Sequence, residues 1–154
     1  MKFPQSSRQL REVFMSAAAP DISGLTGEYL VDMLGAWPSF KRFNHRKVFY
    51  KKGNKVLGHN MMFNVPWGRF FIEEEICKDL GAVKVAVINY NRPENLFHVR
   101  PVRDHIRSVE KGVYIGRFNY LLSGRLVFLG YFSLEKKIDI PLFGKEACLS
   151  ADRG

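Results

Sequence analysis

A chain of 154 residues has room for one core of ordinary size, whereas two independent domains would each be marginal. An apolar share of 46% beside 25% charged residues excludes a disordered chain, and no apolar run approaches the roughly 18 residues of a membrane helix. The net charge of +9 favours anionic partners, and it is concentrated: from Met33 to Ile72 there is no Asp or Glu, while Lys41, Arg42, Arg46, Lys47, Lys51, Lys52, Lys55 and Arg69 all fall there.

In chain order, the first element is a helix over 6–19. Leu10, Val13, Phe14, Ala17 and Ala18 make one apolar stripe, Ser6 and Gln9 form a capping pair, and Pro20 stops the helix. The expected role is a lid or plug on the rest of the domain. Arg8, Gln9, Arg11 and Glu12 stand where a secretory leader would need an apolar stretch, so the cytoplasm is the expected compartment. Cys77 and Cys148 are too few and too far apart for a disulfide framework, which fits a reducing environment.

After Gly24 the texture turns to short runs rich in β-branched and aromatic residues. Strands are predicted at 27–35, 44–52, 55–64, 67–76, 82–90, 95–101, 102–110, 113–121 and 126–135. Gly53-Asn54 reads as a two-residue hairpin turn, with further breaks at 91–93, 111–112 and 123–124. Many strands at this spacing with no second long helix predict a mainly β fold, an antiparallel up-and-down barrel of 8 to 10 strands over 24–136. Residues 137–154 read as an irregular tail, and the whole of 1–154 as a single domain.

Gly27-Glu28-Tyr29, in the run Gly24-Leu25-Thr26-Gly27-Glu28-Tyr29 after a short helix, resembles the Gly-x-Trp entry motif of the lipocalins and the wider calycin superfamily, with Tyr29 in the Trp position. The segments Asp104–Val109, Val113–Arg117 and Gly130–Glu135 are similar to the closing strands of small bacterial calycin-like barrels. The resemblance implies a barrel bottom closed by Tyr29, covered by an Arg that either Arg117 or Arg125 supplies. It also implies a cavity for a small apolar ligand.

Strand alternation puts Tyr114, Gly116, Phe118 and Tyr120 on one face, and Phe128, Gly130, Phe132 and Leu134 on another. Glycines beside large rings are expected to leave volume in a pocket wall. His105 and Arg107 share a face, as do Arg117 and Asn119; an Arg in an apolar cavity would hold a carboxylate or phosphate by two hydrogen bonds. The expected ligand-binding set is Tyr29, Trp67, His105, Arg107, Tyr114, Arg117, Phe118 and Tyr131. The ligand expected is small, apolar or amphipathic, and anionic, of the lipid or fatty-acid class.

Two other functions fit the sequence. An isomerase or cyclase on the same barrel would need Asp104, His105, Glu28 or a Tyr to face the cavity. A nucleic-acid or anionic-membrane surface would use Lys41, Arg42, Arg46, Lys47, Lys51, Lys52 and Lys55, with Phe43, Phe49 and Tyr50 interleaved. His45, His59, His98 and His105 lack metal-ligand spacing, and no phosphate-cradling Gly-rich loop or nucleophile elbow occurs, so neither metal nor cofactor is expected and enzymatic activity stays open.

Overall fold

The computed structural model of the chain describes residues 1–39 and 41–138. It is mainly β: a closed antiparallel barrel of eight strands and one short N-terminal helix. The helix, α1, spans Ser7–Ser16, with the Ser6 hydroxyl accepting from the Gln9 amide and Leu10 and Phe14 buried. It ends earlier than the apolar stripe predicts because Ala17 is extended and Ala18 exchanges two backbone hydrogen bonds with Ser108, each 2.8 Å long. Pairing with the barrel outweighs the helix preference of an alanine run.

The strands are β1 (Gly27–Leu34), β2 (Arg46–Lys52), β3 (Lys55–Met62), β4 (Val65–Cys77), β5 (Val83–Asn89), β6 (Val102–Glu110), β7 (Val113–Leu122) and β8 (Arg125–Lys136). Each pairs antiparallel with the next, and β8 pairs with β1, Val31 opposite Leu134, to close the shell. The Gly53-Asn54 turn joins β2 to β3 as expected, with Gly53 at φ 63°.

The strand predicted at 95–101 is absent; that stretch is a series of turns, so among the described residues there are eight strands and not nine. Its β-forming residues are overruled by Asn95, whose side chain accepts from the Arg69 amide and donates to the carbonyls of Arg69 and Tyr90. Arg100 then donates to the carbonyls of Pro93 and Asn95 and holds the loop folded. Of the tail expected over 137–154, residues 139–154 lie outside those described.

Two apolar clusters lie on opposite sides of the barrel wall. Inside, Tyr29 packs edge-on against Phe49 and Tyr114, and Phe49 against Phe70, with ring centroids 5.3–5.7 Å apart. This end of the barrel is solid. Glycine does not create volume there: the space a side chain would need at Gly58 and Gly116 is taken by the rings of Phe70 and Phe132. Outside, Leu10 and Phe14 of α1 pack on Val85, Val87, Ile115 and Tyr131. Strands β5 to β8 are therefore buried on both faces beneath the helix. No helix among the described residues is long and apolar enough to cross a membrane.

Candidate functional site

The other half of the barrel holds an open-mouthed cavity of about 390 Å³. Val31, Met33, Val102, Phe118 and Phe132 form apolar walls, and half-exposed Trp67 and exposed His98 stand at its rim. The register explains the lining. Tyr29 faces Lys47, Lys47 faces Asn60, Ile88 faces Asp104, and Asp104 faces Phe118, so all of these point inward.

The floor is polar. Lys47 on β2 lies 3.4 Å from Asp104 Oδ2 on β6, and both side chains are buried. The ammonium also donates to Asn60 Oδ1 at 2.9 Å and to the Tyr90 hydroxyl. Asn60 Nδ2 donates to the same hydroxyl at 3.1 Å. The rings of Phe70, Tyr90 and Phe132 surround the ammonium at 5.1–5.7 Å, a further favourable contact for a desolvated cation.

Burial dominates the protonation of this cluster. It lowers Lys47, against the pull of Asp104, and pushes the Asp104 carboxyl up to about 6, against the pull of Lys47 and Tyr90. Tyr90 is raised well above its ordinary value, first by burial and then by the Asp104 charge. Beside the floor, His45 stacks on Trp67 with ring centroids 5.9 Å apart, and burial followed by the Lys47 charge lowers it to about 4.

Of the residues expected to bind a ligand, Trp67 and Phe118 line the cavity. Tyr29 and Tyr114 point inward but belong to the solid end. His105, Arg107, Arg117 and Tyr131 lie on the outer wall, because Asp104 and Ile106 take the inward positions of β6. Arg107 donates to the Phe14 and Met15 carbonyls at the end of α1, at 3.1 and 2.9 Å, and Arg117 lies over the Phe128 ring at 4.6 Å. His105 is buried, and burial followed by the Arg117 charge lowers it to about 4. Phe128, expected inward, is turned outward by an extra residue in β8, Leu129, since Gly130 lies opposite Phe118 but Phe128 opposite Asn119.

The expected anion-binding surface is broken up. Lys47 is in the cavity floor, and Arg46 is buried in contacts with Glu28 and the Asn64 side chain. Lys41 is exposed and 3.7 Å from Asp32, while Lys51, Lys52 and Lys55 remain exposed about the β2–β3 turn. The Arg42 side chain lies outside the description. Among the described residues, no three His, Cys, Asp or Glu side chains are grouped to hold a metal ion.

Asn60 and Tyr90 escaped the sequence reading, as did the inward direction of Lys47. The available signal was its alternation with Phe49, two residues on, in a strand whose partner must face Gly58 and Asn60 the same way.

No family model matches the chain, and no curated protein matches it. A crystal structure of a protein from Thermomonospora curvata is similar with a TM-score of 0.60, covering 86% of this chain and 88% of that one at 15% identity. At that identity the likeness is one of fold alone, that of the closed eight-strand antiparallel barrel.

Proposed function

We propose that the chain is a lipocalin-like binding protein for a small, mainly apolar ligand whose polar end rests on the floor formed by Lys47, Asp104, Asn60 and Tyr90. The observation that carries this reading is a hollow with apolar walls over a buried, polar, charge-paired floor. A volume of about 390 Å³ is at the lower end of ligand-pocket sizes and equals about a dozen waters. It favours a compact ligand over a long acyl chain. A ligand that removes about 200 Å² of apolar surface from water gains about 5 kcal/mol from burial alone.

The test is titration with the neutral dye Nile red, read by dye emission and by quenching of Trp67, together with mass spectrometry of the native protein for co-purified small molecules. Saturable binding by the native chain, lost in a folded Val102→Trp variant that fills the cavity, is the expected result. Equal dye binding by both chains would place the dye elsewhere and end the reading.

A second reading, proton-transfer catalysis of the isomerase or cyclase type, is favoured by one observation: Asp104 meets the cavity with its carboxyl held near neutrality, beside a Tyr hydroxyl. Deuterium uptake from heavy water into a co-purified ligand, abolished by Asp104→Asn, is its signature. Recovery of the ligand without deuterium would leave binding alone.

A further inference from the structure

The arrangement of donors and acceptors on the cavity floor limits the chemistry of the ligand's polar end. Lys47 carries three N–H donors and faces three acceptors: Asp104 Oδ2, Asn60 Oδ1 and the Tyr90 oxygen. The ammonium makes two hydrogen bonds and one ion pair to them, and a ligand oxygen would have to compete with these partners. Asp104 is in the opposite condition. Among the described residues its buried Oδ1 has no hydrogen-bond partner, although the carboxyl lines the cavity. A buried acceptor without a donor is costly, so a ligand gains most by supplying an N–H or O–H there.

Charge narrows the choice further. The floor pairs one ammonium with one carboxylate, 3.4 Å apart and both removed from water. A ligand anion would set a second negative charge beside Asp104. A ligand cation would set a second positive charge beside Lys47, at a site where desolvation is expensive. A hydroxyl or an amide N–H adds a donor and no net charge.

We propose that the cavity selects a neutral hydrogen-bond donor, held at Asp104 Oδ1, and discriminates against carboxylates, amines and donor-free analogues. This rests on the cavity reading above and replaces the anionic ligand expected from the sequence, whose intended partners Arg107 and Arg117 are outside the barrel.

The experiment is displacement of Nile red by five compounds with a common octyl body: octanol, octanamide, octyl methyl ether, octanoate and octylamine. Octanol and octanamide are expected to displace the dye at concentrations about tenfold or more below the other three, the size of one hydrogen bond to a charged group. In Asp104→Asn, whose Lys47 lacks its carboxylate, octanoate is expected to gain about tenfold on octanol. Octanoate or octylamine as the best competitor of the native chain, or an ether as good as the alcohol, overturns the donor selection while the cavity reading survives. Failure of all five to compete overturns both. The ranking on the native chain decides the matter even where the variant does not fold.

Discussion

Lys47 and Asp104 reach each other across the lumen from strands on opposite sides of the barrel, their charged atoms 3.4 Å apart. The pair lies where the aromatic packing of one end gives way to the cavity of the other. Losing either charge alone strands its partner in a desolvated site, so Lys47→Met and Asp104→Leu are each expected to cost about 3–5 kcal/mol. The double variant should recover much of that loss. Urea denaturation of the four chains gives the coupling, and additive losses would mean the two groups do not act on one another.

Stability should fall on acidification because of two histidines. His45 and His105 are held at about 4, well below the usual 6.5, by burial. Between pH 6.5 and 4 the unfolded chain therefore binds protons that the folded chain refuses, and stability drops as pH falls through that window, by at most about 3 kcal/mol for each histidine. Asp104 acts in the opposite sense. Its folded value of about 6 lies above the ordinary 3.8, so its contribution is present at low pH and is lost as pH rises through 6. Of these three groups the histidines prevail. Among the described residues neither ring nitrogen of His105 has a hydrogen-bond partner, so His105→Leu should flatten the acid limb and raise neutral-pH stability by about 1 kcal/mol, measured by urea midpoints at pH 7 and 4.5.

Two inward glycines should respond differently to the same substitution. A Cβ at Gly116 would stand 2.1 Å from the Phe132 ring, whereas at Gly58 it would stand 2.2 Å from the Val48 carbonyl oxygen as well as against Phe70. Both Gly→Ala changes are expected to cost about 1–3 kcal/mol by overpacking. Phe132→Leu should relieve the first. Phe70→Leu should leave the second, since backbone cannot swing aside. Thermal denaturation of the paired variants distinguishes them.

Arg107 should fasten α1 to the barrel. Arg107→Met keeps an apolar stem over Phe14 and removes the donors to the Phe14 and Met15 carbonyls. A cost of about 1–3 kcal/mol and faster amide exchange over residues 10–16 are expected. Unchanged exchange in the helix would assign its attachment to the Leu10 and Phe14 packing alone.

The barrel was legible in the sequence where one face of a strand is wet. The Gly53-Asn54 hairpin, with Tyr50, Lys51, Lys52 and Lys55 exposed at its end, is an example. It was less legible where helix α1 covers the outside. In β6 Asp104 and Ile106 are buried inward while His105 and Arg107 are buried outward, so alternation carries no sign of which face is the lumen. That is why alternation did not show that His105, Arg107 and Arg117 lie on the outer wall and not in the lumen. The stretch 95–101 misled for another reason: Leu96 and Phe97 have strand-forming side chains but are 67% and 83% exposed, because Asn95 bonds distant backbone and diverts the chain into turns. A capture by one side chain across 26 residues leaves no periodic trace.

The shell is not stitched evenly. Ladders such as Val113–Leu122 against Arg125–Glu135 are long, whereas β1 meets β2 only over Gly27–Leu30 and β5 meets β6 only over Ala86–Asn89. Just past the β5–β6 seam, Ser108 is bonded to Ala18, so the N-terminal segment clasps that gap from outside. The β1–β2 seam is tied outside by side chains, through the ion pair of Arg46 with Glu28, and toward the cavity the Val31 amide bonds the carbonyl of His45, a cavity-lining residue. A short seam beside the cavity is where amide exchange in this wall is expected to be fastest.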